Sequence, residues 1–303
     1  MTVRYEHEPR LRRPALVAAF QGWNDAGDAA TDALRWLARR FEAREFAALD
    51  IEEYLDFQAA RPTVELVDGV LRKVEWPSLT FSTAAAGRDL VLLLGVEPNL
   101  KWRAFSEDVI SVARRTGCET IVTLGALLGD APHSRPVRCT GSATDEVLAA
   151  RLGMQRSRYE GPTGIVGVLH DSVRRAGFAS ASIWAPVPHY VASPPNPKAT
   201  HALLDKLASL LDLDLDLTDL EIAAAAWERS VSEVVRADGD VSAYVANLEA
   251  RYDAAVASLV DEEEADWEKE DEDEDDWLDE DDLPTGESLA ADFERYLRDH
   301  RDD

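Results

Sequence analysis

Apolar and polar positions change period along this chain, and the changes mark its elements. Residues 14–20 are a continuous apolar run, as in a strand buried on both faces. Residues 28–41 place Leu34, Leu37 and Phe41 at helical spacing. Residues 45–51 read as a short strand. The runs 63–67 and 70–74 alternate on either side of Asp68-Gly69, which predicts a hairpin. Residues 79–83 add a short strand, and 89–95 form a second continuous apolar run. Phe105, Val109, Ile110, Val112 and Ala113 then make the apolar stripe of a helix. Asn99 or Ser106 would cap it and Gly117 would end it. A buried strand at 120–124 and a short one at 137–140 follow. Helices over 145–152 and 164–176 and a strand at 181–185 complete this part. The alternation predicts an α/β fold, with a mostly parallel sheet covered on both faces and an antiparallel portion from the hairpin.

The pattern then changes. Pro186, Pro188, Pro194, Pro195 and Pro197 make a stiff, extended connection. Helical periodicity takes over in three segments, 198–211, 219–237 and 240–260. Leu213-Asp214-Leu215-Asp216-Leu217 alternates like a strand but is short and flanked by helices, so it reads as a loop. Ile222, Ala225, Ala226, Val231 and Val234 would face Tyr244, Val245, Leu248, Tyr252, Ala255, Val256 and Leu259 in a helical hairpin. That hairpin either packs on the α/β core or offers an oligomer or partner surface. The chain thus divides into a core over 1–192, a helical region over 193–260 and a tail over 261–303.

Charge sharpens the last boundary. The chain carries a net −27, and residues 261–282 hold 17 acids and one base, Lys269. Self-repulsion predicts that this segment is irregular in isolation. Trp267 and Trp277 interrupt the acids. Beyond Pro284, Leu289, Phe293 and Leu297 fall at helical spacing with Tyr296 beside them. They predict a short amphipathic helix, able to fold back or to enter a partner's groove. So acidic a chain is repelled by nucleic acid and suits a basic partner or a solubilising role. Cys118 and Cys139 read as free thiols of a reducing cytoplasm. The start lacks an apolar segment of signal-peptide type. The run Leu90-Val91-Leu92-Leu93-Leu94 is far short of the ~20 residues of a membrane helix.

Four strand ends carry the candidate chemistry. They are Trp23-Asn24-Asp25, Glu97-Pro98-Asn99, the segment from Gly125 to Asp130 and His133, and Pro188-His189-Tyr190. A parallel sheet brings them to one edge, where ligands bind. Asn24, Asp25, Glu97, Asp130, His133 and His189 are the polar groups, with Trp23, Asp28, Asn99 and Trp102 beside them. Carboxylates near a histidine can do acid–base work. The same residue types also satisfy turn backbone, and Asp25 or Asp28 could cap the following helix. His170-Asp171 reads as a surface or packing pair. Gly161-Pro162-Thr163-Gly164-Ile165-Val166-Gly167 could hold an anion before a helix, but it also suits close packing. The chain has no H-E-x-x-H pair, nucleophile elbow or phosphate loop, so neither a metal nor a cofactor is expected.

One segment is more specific. Phe20-Gln21-Gly22-Trp23-Asn24-Asp25-Ala26-Gly27-Asp28-Ala29-Ala30 resembles the opening signature of the proteasome-assembly-chaperone family, in its actinobacterial branch and second-subunit type. Gly95-Val96-Glu97-Pro98-Asn99 with Trp102 and Phe105, Leu124 to Asp130, and Pro186-Val187-Pro188-His189-Tyr190 support it. The resemblance covers residues 14–260. It implies a three-layer domain of the phosphorylase/hydrolase-like type, with no established enzymatic activity. It also implies a homo-oligomer, trimer or dimer, and a proteasome-related protein partner. The implied role is a non-enzymatic scaffold or assembly-chaperone-like protein of the cytoplasm. A small-molecule binder or hydrolase/phosphorylase-like enzyme using the strand-end cleft is the alternative. Proteins that insert into proteasome pockets can end in a hydrophobic-Tyr-X tripeptide. This sequence closes on His300-Arg301-Asp302-Asp303, which does not support that mode.

Overall fold

The computed structural model describes residues 2–67, 71–144, 146–153 and 160–275. It divides into two compact units, residues 1–249 and 250–303. The first unit is organised by a sheet in the order β1 (Val3–Tyr5), β3 (Arg44–Leu49), β6 (Leu79–Ala86), β7 (Arg88–Val96), β2 (Ala15–Gln21), β8 (Thr120–Gly129), β10 (Ala179–Pro188) and β9 (Thr140–Ala143). The four strands β7, β2, β8 and β10 are parallel neighbours. β3 is antiparallel to β6 and β6 to β7, so β3 runs the same way as the central four. β1, β6 and β9 oppose them. The hairpin predicted from the sequence is a separate two-stranded sheet, β4 (Thr63–Val67) and β5 (Leu71–Glu75). Val67 pairs with Leu71, one position later than a two-residue Asp68-Gly69 turn would give; the turn lies outside the described residues.

The continuous apolar runs are explained by burial on both faces. In β2, Val17 and Ala19 join one core with Leu90, Leu92, Val122, Leu124 and Ile183. Leu16, Ala18 and Phe20 join the other with Phe81, Val91, Leu93 and Ile121. The first core is covered by α1 (Ala29–Arg40) and α6 (Pro197–Leu211), through Leu34, Leu37, Leu203, Leu204 and Leu207. The second is covered by α3 (Trp102–Thr116) and α5 (Ile165–Arg175), through Phe105, Val109 and Leu169. Two helical layers therefore sandwich the sheet. Short α2 (Ile51–Tyr54) and α4 (Glu146–Leu152) add Tyr54 to the second core and Leu152 to the first.

Several details depart from the sequence pattern. Neither Asn99 nor Ser106 caps α3: Lys101 precedes it in a left-handed conformation. Asn99 Oδ1 instead accepts from the Asp56 amide at 3.0 Å, and Ser106 lies inside the helix. The last short strand sits at Thr140–Ala143 rather than 137–140, because antiparallel pairing to β10 sets Gly141 opposite Ile183. β8 runs on past Leu124 because Gly125 lets the neighbouring strand come close. A Cβ there would lie 2.6 Å from the Trp184 ring.

α6 is part of the first core, and the loop after it laces back through Leu213 and Leu217. In α7 (Thr218–Ala237) the inward positions are Val231 and Val235 with Trp227, which meet Val245 and Val241 of α8 (Gly239–Asp275) and Tyr190 and Val191. Ile222 and Val234, expected on the buried face, are 66% and 73% exposed. The inner set follows i, i+4 steps through 227, 231 and 235, which turns position 234 outward. In the second unit, α8 continues past residue 260 to Asp275, where the charge run predicted irregular chain. Ala and Glu are strong helix formers, and like-charge i, i+4 pairs cost only a few tenths of a kcal/mol each.

Candidate functional site

The turn after β2, the end of β8, Ser182 and Trp184 of β10, β9 and α5 border a cavity of about 770 Å³. Trp23, Leu127, Leu128, Trp184 and Pro194 form much of its wall, and Asp28, Ser142 and His170 add polar groups. Trp23 is 66% exposed, so its indole stands at the mouth rather than filling the space. Asp28 precedes α1 with φ +54°, a left-handed conformation that Asp and Asn adopt more readily than other non-glycine residues. Its carboxylate makes no capping bond and no ion pair among the described residues.

Asp25 supplies the cap in its place. Its Oδ1 accepts from the Ala30 amide at 2.7 Å and the Thr31 amide at 3.1 Å, and Oδ2 accepts from the Thr31 hydroxyl. Burial raises the Asp25 pKa above its ordinary value, and the bonds from Thr31 and Ala30 oppose the rise. The anion-attracting amides at the start of α1 are thus already used.

Asn24 and Glu97 are joined to each other. Asn24 Nδ2 donates to Glu97 Oε1 at 2.6 Å, and the Ile165 amide donates to the same oxygen at 3.0 Å. One carboxylate therefore fastens the ends of β2 and β7 to the start of α5. Gly164 is needed in that junction, since a Cβ would lie 2.4 Å from Asn24 Oδ1. Asn24 is 1% exposed, and its Oδ1 has no hydrogen-bond partner. Neither Asn24 nor Glu97 lines the cavity. Trp102 packs against the second core and donates from Nε1 to the Pro98 carbonyl at 2.5 Å.

His133, His189 and Asp130 belong to a third group. The Tyr190 hydroxyl accepts from the His133 amide at 2.8 Å and lies 2.9 Å from His133 Nδ1, while Nε2 is 3.0 Å from the Ser232 hydroxyl of α7. Lys198 Nζ donates to the His133 carbonyl at 2.6 Å and pairs with Glu228. Burial is the main influence on His133 and lowers its pKa. His189 lies 3.6 Å from Asp130 and stacks edge-on with Tyr190 and Tyr244. This group holds the loop after β8 to the helical region.

The strand-end residues are therefore three separate sets, and only Trp23, Asp25 and Asp28 reach the cavity. His170, read from sequence as a surface or packing residue, is on the wall. Its Nε2 lies 3.2 Å from the Ser142 hydroxyl, its buried Nδ1 has no partner, and burial lowers its pKa. Only the i, i+3 step from Gly167 on α5 hinted at this. Among the described residues no cluster of His, Cys, Asp and Glu could hold a metal ion. None of the described helices is long and apolar enough to cross a membrane. Of the tail positions, Trp267 lies on α8, while Trp277, Leu289, Phe293, Tyr296 and Leu297 lie outside the described residues.

Comparison with known proteins agrees with this architecture. The PAC2 family model matches residues 19–235. A PAC2 family protein from Streptomyces avermitilis is 48% identical, over 77% of this chain and 99% of that one, with a TM-score of 0.71. A proteasome-assembly chaperone homologue from Mycobacterium tuberculosis is 46% identical, over 76% of this chain and 99% of that one, also at 0.71. PbaB, an archaeal proteasome activator from Pyrococcus furiosus, shares the fold at 18% identity and a TM-score of 0.61, over 77% of this chain and 98% of its own. No curated protein matches. The signature around Trp23 and Asn24 lies inside the matched stretch, and with relatives close to half identical over most of the first unit this chain belongs to the PAC2 family.

Proposed function

We propose that this chain is a non-enzymatic, assembly-chaperone-like scaffold of the cytoplasm that works as a homo-oligomer, trimer or dimer, on proteasome subunits. The observation that carries the reading is its 46% identity over nearly the full length of a proteasome-assembly chaperone homologue. The site geometry supports it. Asp25, Asn24 and Glu97 are occupied in holding helix starts and strand ends together, which leaves them no free acid–base role. Exposed apolar positions on α7, Ile222 and Val234, supply surface for association. The acidic segment suits a partner with basic patches.

The test mixes the purified full-length chain with proteasome α- and β-type subunits from the same source. Native mass spectrometry follows the complexes. A defined complex of this chain with unassembled subunits, lost when the mature particle forms, is the expected result. Assembly that proceeds at the same rate with no such complex would overturn the reading.

A further inference from the structure

We propose that the cavity beside the turn after β2, lined by β8, β9, β10 and α5, binds a small organic cation, an ammonium or guanidinium group on an apolar body. Asp28 is its counter-charge, and the indoles of Trp23 and Trp184 are its walls. The site does not depend on the scaffold role. Its charge decides the ligand class first. Among the described residues the lining includes no lysine or arginine, so an anion entering the cavity meets no positive side chain there. At the start of α1 the usual attraction for anions is also spent, because Asp25 already accepts the Ala30 and Thr31 amides. What remains on the wall is the Asp28 carboxylate, half-buried, free of hydrogen-bond and ion-pair partners among the described residues, and held at φ +54°.

The apolar lining decides the rest. Trp23 and Trp184 line the cavity, indole rings attract cations, and Leu127, Leu128 and Pro194 offer contact for an apolar body. The volume, about 770 Å³, lies within the roughly 300–1,000 Å³ of pockets that hold small ligands. A single lysine side chain from a protein partner would leave most of it empty, which favours a small molecule over a docked peptide.

The test titrates the full-length chain by calorimetry with tryptamine, its neutral isostere tryptophol, and indole-3-acetate. Tryptamine should bind about tenfold tighter than tryptophol, the size of a charge-assisted hydrogen bond, and indole-3-acetate should bind weakest. Asp28→Asn should erase the gap between tryptamine and tryptophol. Asparagine tolerates the left-handed conformation, so this variant should keep its fold, and circular dichroism checks that. Trp23→Ala, at an exposed position, should weaken tryptamine about threefold or more. Equal binding of the three ligands, no binding at millimolar concentration, or a preserved gap in Asp28→Asn would each overturn the proposal. Binding of a lysine-bearing tetrapeptide with none of tryptamine would also overturn it, and would assign the cavity to a protein partner.

Discussion

Asp25 holds the start of α1 with a single carboxylate that takes two amides and a hydroxyl. Because Asp25 is buried, removing it strips the cap and leaves those donors without water. Asp25→Ala should therefore cost about 2–3 kcal/mol, the sum of a cap and an unmet buried donor. Thermal unfolding of the two proteins measures the difference, and a loss below half a kcal/mol would show that water replaces the carboxylate. The sequence suggested a capping acid at this turn and offered two, Asp25 and Asp28. Which of them caps is settled by the turn itself. Asp28 adopts a left-handed conformation and makes no capping bond, and Asp25 takes the amides instead.

At the scale of elements, His133 joins the loop after β8 to α7 through Ser232 and to the strand-end turn through Tyr190. Burial lowers its pKa, as it does for His170 on α5. Both are therefore neutral in the folded protein at pH values where the unfolded chain, with its ordinary value of 6.5, takes up protons. The unfolded state then binds more protons, so stability rises with pH. Their contribution is complete above 6.5, declines as pH falls through 6.5, and levels off below the folded values. The melting temperature should fall between about pH 7.5 and 5.5. His133→Gln should flatten that fall while lowering stability at the top of the range. An unchanged slope would mean that His133 stays accessible to protons. No local pattern in the chain marks this link. His133 and Ser232 are far apart in the chain, and only the docking of α7 brings them together.

The whole molecule carries a net −27, concentrated in residues 261–282. Like charges close together repel, and salt screens them, the screening length falling from about 30 Å at 0.01 M to about 10 Å at 0.1 M. Added sodium chloride over that interval should raise the melting temperature. A fall would show that ion pairs such as Arg35–Asp32 and Lys198–Glu228 outweigh the repulsion.

The sequence by itself determined the two-faced apolar strands and the stripes of α1, α3 and α5. The reason is that burial on both faces of a sheet, or on one face of a helix, leaves a local period that can be read directly. It also determined the family, through the dense turn after β2. Tertiary structure alone decided which strand-end residues meet. Asn24 and Glu97 close on each other, His133 turns to α7, and His170 comes round from α5 to the cavity wall. It likewise decided that the face of α7 built on Val231 and Val235, not Val234, is inside. Such pairings join residues far apart in the chain, and a side chain's local period does not record the neighbour it will meet.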